Sequence, residues 1–144
     1  LGGFGMIGDG AHMIPTEEVP RVWNHVRMHL VKGLQVATDT TLGEVHDDVL
    51  DGLADLWMIT SGKSIIGAFV TARVEPNDML VYALGGDRIN EWSKDVDDKV
   101  TTWAKACSTD RIRFYGRKAW RRLMPHYQVA GERQGHNLYQ KAVT

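Results

Sequence analysis

The chain lacks most of the residue patterns that settle a protein's class at once. Cys107 is the only cysteine in 144 residues, which excludes an intramolecular disulfide framework and makes a reducing, cytoplasmic setting the expectation. No Cys/His cluster has zinc spacing: His25 and His29 stand four apart on a helical face without a third ligand, so no metal is expected. No apolar run approaches the roughly 20 residues of a membrane span, so no membrane partner is expected. Nucleophile elbow, internal repeat and linker are all missing. The first ten positions hold five glycines and lack the basic-then-apolar order of a signal peptide. Residues 1–12 read as a flexible arm or expression remnant, and 13–144 as one domain. With 43% hydrophobic and 24% charged residues, disorder and collagen-like structure are excluded, and a domain of this length buries roughly 68–70% of its unfolded surface.

Charge is nearly balanced at −1, but it is segregated along the chain. Residues 1–70 carry four basic side chains against nine acidic ones, whereas 111–144 carry eight basic against Glu132 alone. Such a chain can offer a basic face to phosphate on a cofactor or nucleic acid, or to an acidic partner subunit. The two halves can equally pair with each other on folding. Within 111–122, Trp120 lies among Arg117, Lys118, Arg121 and Arg122, a composition suited either to stacking on a nucleic-acid base or to packing on a sheet.

Periodicity gives the elements. Thr16 opens a helix with Glu17 and Glu18 in its first turn, and Val19, Val22, Trp23, Val26, Leu30 and Leu34 form its buried stripe. Thr41 with Glu44 makes a capping box for a second helix, whose apolar set is Leu42, Val45, Val49 and Leu53 and whose other face holds Asp47, Asp48, Asp51 and Asp55. Residues 56–60 and 64–74 read as a hairpin around Ser61-Gly62-Lys63, and 79–84 as a central strand covered on both faces. Gly85-Gly86 ends that strand and Asp87 is placed to cap a third helix with the stripe Ile89, Trp92, Val96, Val100, Trp103 and Cys107. A strand over 111–115, a short helix over 117–124 stopped by Pro125, and strands near 127–130 and 137–143 complete the order.

Four segments carry a resemblance. Met13 to Pro20, the hairpin ending Ile65 to Val70, Trp103 to Cys107 leading into Arg111 to Tyr115, and Arg117 to Gly131 resemble the first strand and helix, second and third strands, third helix and fifth strand, and fourth helix of the GNAT superfamily of N-acyltransferases. The resemblance implies an α/β (α+β) fold: a mixed, mostly antiparallel central sheet flanked by about four helices. It also implies acetyl-CoA or another acyl-CoA as cofactor and an amine as acceptor. A backbone N–H around Ala83-Leu84-Gly85 would stabilise the charge on the thioester oxygen, which makes Leu84 a catalytic candidate. Glu75, on the expected acceptor side with Asp78, is the candidate base. Phosphate-binding candidates are Gly85, Gly86, Arg88, Arg113, Arg117, Lys118 and Arg121.

This chain departs from the family pattern in two places. The pyrophosphate loop is reduced to Gly85-Gly86-Asp87-Arg88-Ile89-Asn90, with an acid where an anion would sit. The fourth-helix tyrosine that protonates the leaving thiolate falls at Leu123, leaving Tyr115 or Tyr127 as substitutes. The expectation is therefore an acyl-CoA-dependent N-acyltransferase. The alternative is a catalytically degenerate binding or structural protein, similar to small phage-encoded GNAT-like proteins found in virions or host cytoplasm, with a nucleic-acid or assembly partner.

Overall fold

The fold follows from where apolar side chains alternate and where they recur every three or four positions. A computed structural model describes residues 8–35 and 39–143; residues 1–7 of the expected arm lie outside them. Seven strands form one sheet: β1 (Gly10–Met13), β2 (Asp55–Ser61), β3 (Ser64–Val74), β4 (Asp78–Gly86), β5 (Arg111–Gly116), β6 (Gln128–Arg133) and β7 (His136–Ala142). Their order is β1-β2-β3-β4-β5-β7-β6, and every junction is antiparallel except β4–β5. The helices are α1 (Val19–Gly33), α2 (Leu42–Leu50), α3 (Ile89–Ala106) and α4 (Trp120–Leu123). This is the mixed, mostly antiparallel sheet with four helices expected from the sequence.

Two cores lie on opposite faces of the sheet. In β2, Leu56 and Met58 join Val22, Val26 and Leu30 of α1 and Val45 and Val49 of α2, while Trp57 and Ile59 join Trp92, Val96 and Val100 of α3. Burial on both faces explains why residues 56–60 are continuously apolar rather than alternating. Trp23 of α1 meets His46 of α2 with ring centroids 4.3 Å apart.

Several local expectations need correction. Strand β1 pairs with β2 from Gly10, the Ala11 N–H donates to Asp95 Oδ2 (2.7 Å), and Lys99 Nζ donates to the Ala11 carbonyl (2.8 Å). Helix entry at Thr16 is a 3₁₀ turn over Thr16–Glu18 whose N-cap is Pro15, with no side-chain cap. The Thr41–Glu44 capping box forms as expected, but α2 stops at Leu50, leaving Leu53 exposed and placing Asp55 in β2. Asp87 does not cap α3; Arg88 holds that position in left-handed conformation (φ 56°). The fourth helix shrinks to the single turn Trp120–Leu123.

Candidate functional site

The site begins with a clamp and ends in a gap. Parallel pairing of β4 and β5 extends over only three positions, Asp78↔Arg111, Met79↔Ile112 and Leu80↔Arg113. The Asp78 carboxylate is 1% exposed and sits between two guanidinium groups. It accepts from Arg111 Nε (3.1 Å) and Nη2 (3.2 Å), with Arg113 Nη1 3.4 Å away. Beyond Leu80 the two strands share no ladder. There β4 stays bonded to β3 through a bulge, and Ala83 takes φ 54°. The irregularity puts Tyr82 and Ala83 on the α1 side and Leu84 on the α3 side.

Helix α1 presses on this bulge. A Cβ on Gly33 would run into the Ala83 carbonyl carbon and the Leu84 nitrogen, and one on Gly85 would meet the His29 carbonyl oxygen. A Cβ on Gly86 would lie 2.6 Å from the Ile66 carbonyl oxygen. Both glycines are thus required by neighbouring backbone, a packing reason that the sequence pair did not disclose.

Between the diverging strands lies a cleft of about 510 Å³. Its α3 wall is apolar, with Ile89, Trp92, Phe114 and Trp120; its opposite wall holds Tyr82, Ala72, Val74, Leu80, Glu44 and Asp48. Burial, then the charges of Asp48 and Asp55, push the Tyr82 phenol up to about 12. It is a donor at neutral pH. At one end stands the α3 N-terminus, which has no side-chain cap. The Asp87 carbonyl there accepts from Trp92 Nε1 (2.6 Å), leaving the Asp87 carboxylate outside any capping role.

Of the residues singled out from sequence, Leu84, Gly85, Gly86, Tyr115 and Arg117 line the cleft. Glu75, Arg88, Arg113, Lys118 and Arg121 are not brought to its wall. Glu75 is exposed in the β3–β4 turn, Arg113 is spent on Asp78, and Arg88 faces Glu91 at 3.4 Å. Lys118 and Arg121 are exposed around the α4 turn. Trp120 is half-buried, edge-on to Phe114 at 5.4 Å, so its ring packs on the sheet rather than standing free to stack. Tyr127 is not on the cleft wall; its hydroxyl donates to Asp97 Oδ1 (2.8 Å), and burial with that acceptor drives its pKa strongly upward. The sequence reading missed Tyr82, hidden in an apolar strand, and took Asp48 for a wet helix face. The four-residue spacing of Glu44 and Asp48, which puts them on one face of α2, was the available signal.

No protein-family model and no curated protein matches the sequence. Solved structures do match. The chain superposes on PaiA N-acetyltransferase from Thermoplasma acidophilum in complex with coenzyme A with a TM-score of 0.63 at 8% identity, covering 94% of this chain and 99% of that one. Against an aminoglycoside 6′-acetyltransferase type Ii the TM-score is 0.69 at 7% identity, covering 93% and 97%. Against an acetyltransferase of GNAT family from Staphylococcus aureus Mu50 it is 0.63 at 11% identity, covering 94% and 99%. The fold is that of the GNAT acetyltransferases. These GNAT structures lend no support to the expected likeness to phage-encoded proteins.

Proposed function

We propose that the protein is an acyl-CoA-dependent N-acyltransferase. The observation that carries this reading is the cleft opened where β4 and β5 part beyond Leu80. Its dimensions and apolar wall suit a pantetheine arm, and the uncapped start of α3 suits a pyrophosphate, because unpaired N–H groups and the helix dipole favour an anion there. When bound, acyl-CoA supplies the activated acyl group. The chain's own residues then have defined tasks. The β4 backbone at Leu84 offers an N–H to the thioester oxygen as charge develops. Tyr82 and Tyr115, both on the cleft wall, are the phenols available to protonate the departing thiolate. Arg117 and Lys32 supply positive charge on the wall for phosphate.

One observation favours the second reading, a fold retained without catalysis: Asp87 sits beside the α3 N-terminus, where its charge opposes an anion. Calorimetric titration with acetyl-CoA separates the two. The acyltransferase reading expects saturable binding that weakens in Arg117→Ala; heat no greater than dilution at millimolar acetyl-CoA would leave only the binding-protein reading.

A further inference from the structure

One amine of the chain itself stands beside the strand gap. Helix α1 ends on the bulge of β4: a Cβ on Gly33 would run into the Ala83 carbonyl carbon and the Leu84 nitrogen. The last turn of α1 therefore touches the peptide that supplies the Leu84 N–H. Lys32 precedes Gly33 by one position, about 3.8 Å between Cα atoms. It lines the same cleft as Leu84. The four-carbon stem of a lysine reaches farther than that one-residue step.

Among the described residues on the cleft wall, Lys32 carries the only primary amine. The other two cations there, Arg117 and Arg133, are guanidinium groups. These stay protonated in proteins and have no lone pair with which to attack a carbonyl. None of the ion pairs among the described residues engages Lys32, and its side chain is exposed. No ion pair has to break before its nitrogen turns to the gap. Lys63 in the β2–β3 turn, Lys94 on α3 and Lys118 before α4 are exposed as well, but none of them lies on the cleft wall.

We propose that Lys32 is a self-acylation site, its ε-amine taking the acyl group from acyl-CoA held in the cleft of the same chain. This rests on the acyltransferase reading. In the step, Nζ attacks as the free amine and forms a bond to the acyl carbonyl carbon, and the carbon–sulfur bond breaks. The nitrogen gives its proton to water, which reaches an exposed side chain, and the departing thiolate takes one up. The products are an amide on Lys32 and free coenzyme A. The amide is uncharged, so the modified chain offers one cation fewer to phosphate.

The test incubates the full chain with acetyl-CoA bearing a deuterated acetyl group and follows each lysine by peptide mass mapping, with and without excess coenzyme A. Holding amine and thioester in one cleft makes the reaction unimolecular, so Lys32 should be labelled at least about tenfold faster than Lys63, Lys94 and Lys118. Its rate per chain should not change with protein concentration, and excess coenzyme A should slow labelling at Lys32 alone. Lys32→Arg keeps the charge and should remove the fast label while leaving the slow ones. If acetyl-CoA binds by calorimetry but Lys32 is labelled no faster than the other three, at a rate that rises with protein concentration, or regardless of coenzyme A, the self-acylation site is overturned while the acyltransferase reading stands. If acetyl-CoA does not bind, both fall.

Discussion

Single residues decide how close the layers of this molecule come. Gly85 is the sharpest case, because the His29 carbonyl already occupies the place of a Cβ. Gly85→Ala should destabilise by about 1–3 kcal/mol through forced displacement of α1, seen as a lower urea midpoint; an unchanged midpoint would contradict the packing described. Tyr82 makes a second prediction. Its phenol titrates at about 12 in the fold against an ordinary value of 10, so the folded state holds that proton more tightly. The stability this contributes is complete below pH 10 and is lost as pH rises towards 12. Tyr127 acts in the same direction, so Tyr82→Phe should make the alkaline fall in urea midpoint shallower without abolishing it. An identical slope in the two proteins would remove the claim. The Gly85-Gly86 pair was visible in the sequence, but its partner was not. A glycine announces that something comes close; only the fold says whether that is a phosphate or a helix backbone.

Elements were legible in proportion to how locally their signals act. The capping box of α2 involves residues three apart and formed as read, with the Glu44 N–H donating to Thr41 Oγ1 at 3.2 Å. Thr41→Ala should cost about 1 kcal/mol, measurable as a fall in thermal midpoint. The third helix shows the converse. Asp87 has the right chemistry for a cap, yet its N–H is drawn to the Ile66 carbonyl at 2.8 Å by the end of the sheet, and the cap position passes to Arg88. Tertiary pairing outweighed local propensity there. The resemblance set a first strand at Met13, but its reach back to Gly10 has no strand period to mark it and comes from β2 on one edge and from Asp95 and Lys99 of α3 on the other. The parallel β4–β5 junction depends on Asp78. Removing its charge leaves two guanidinium groups without their shared partner, so Asp78→Asn should lower stability by about 1–3 kcal/mol, the partly exposed arginines softening the loss. Denaturation that leaves the stability unchanged would show that the clamp is incidental.

At the scale of the whole molecule, the charge segregation of the chain is only partly kept. Arg111 and Arg113 turn inward to Asp78, and Lys141 meets Asp97 at 2.8 Å, so part of the basic C-terminal segment neutralises acids from earlier in the chain. What remains exposed around Arg117, Lys118, Arg121 and Arg122 borders the cleft through Arg117. The splay itself could be anticipated only through the family resemblance, because no residue type marks the point where two strands cease to pair. Three ladder positions, one left-handed alanine and a helix seated on glycines together create it. The most direct test of this account is a crystal structure with coenzyme A bound. The account predicts the thiol between the parted β4 and β5 strands, within hydrogen-bonding reach of the β4 backbone at Leu84, with the pyrophosphate at the first turn of α3. Coenzyme A bound elsewhere, with the gap closed by side chains, would contradict it.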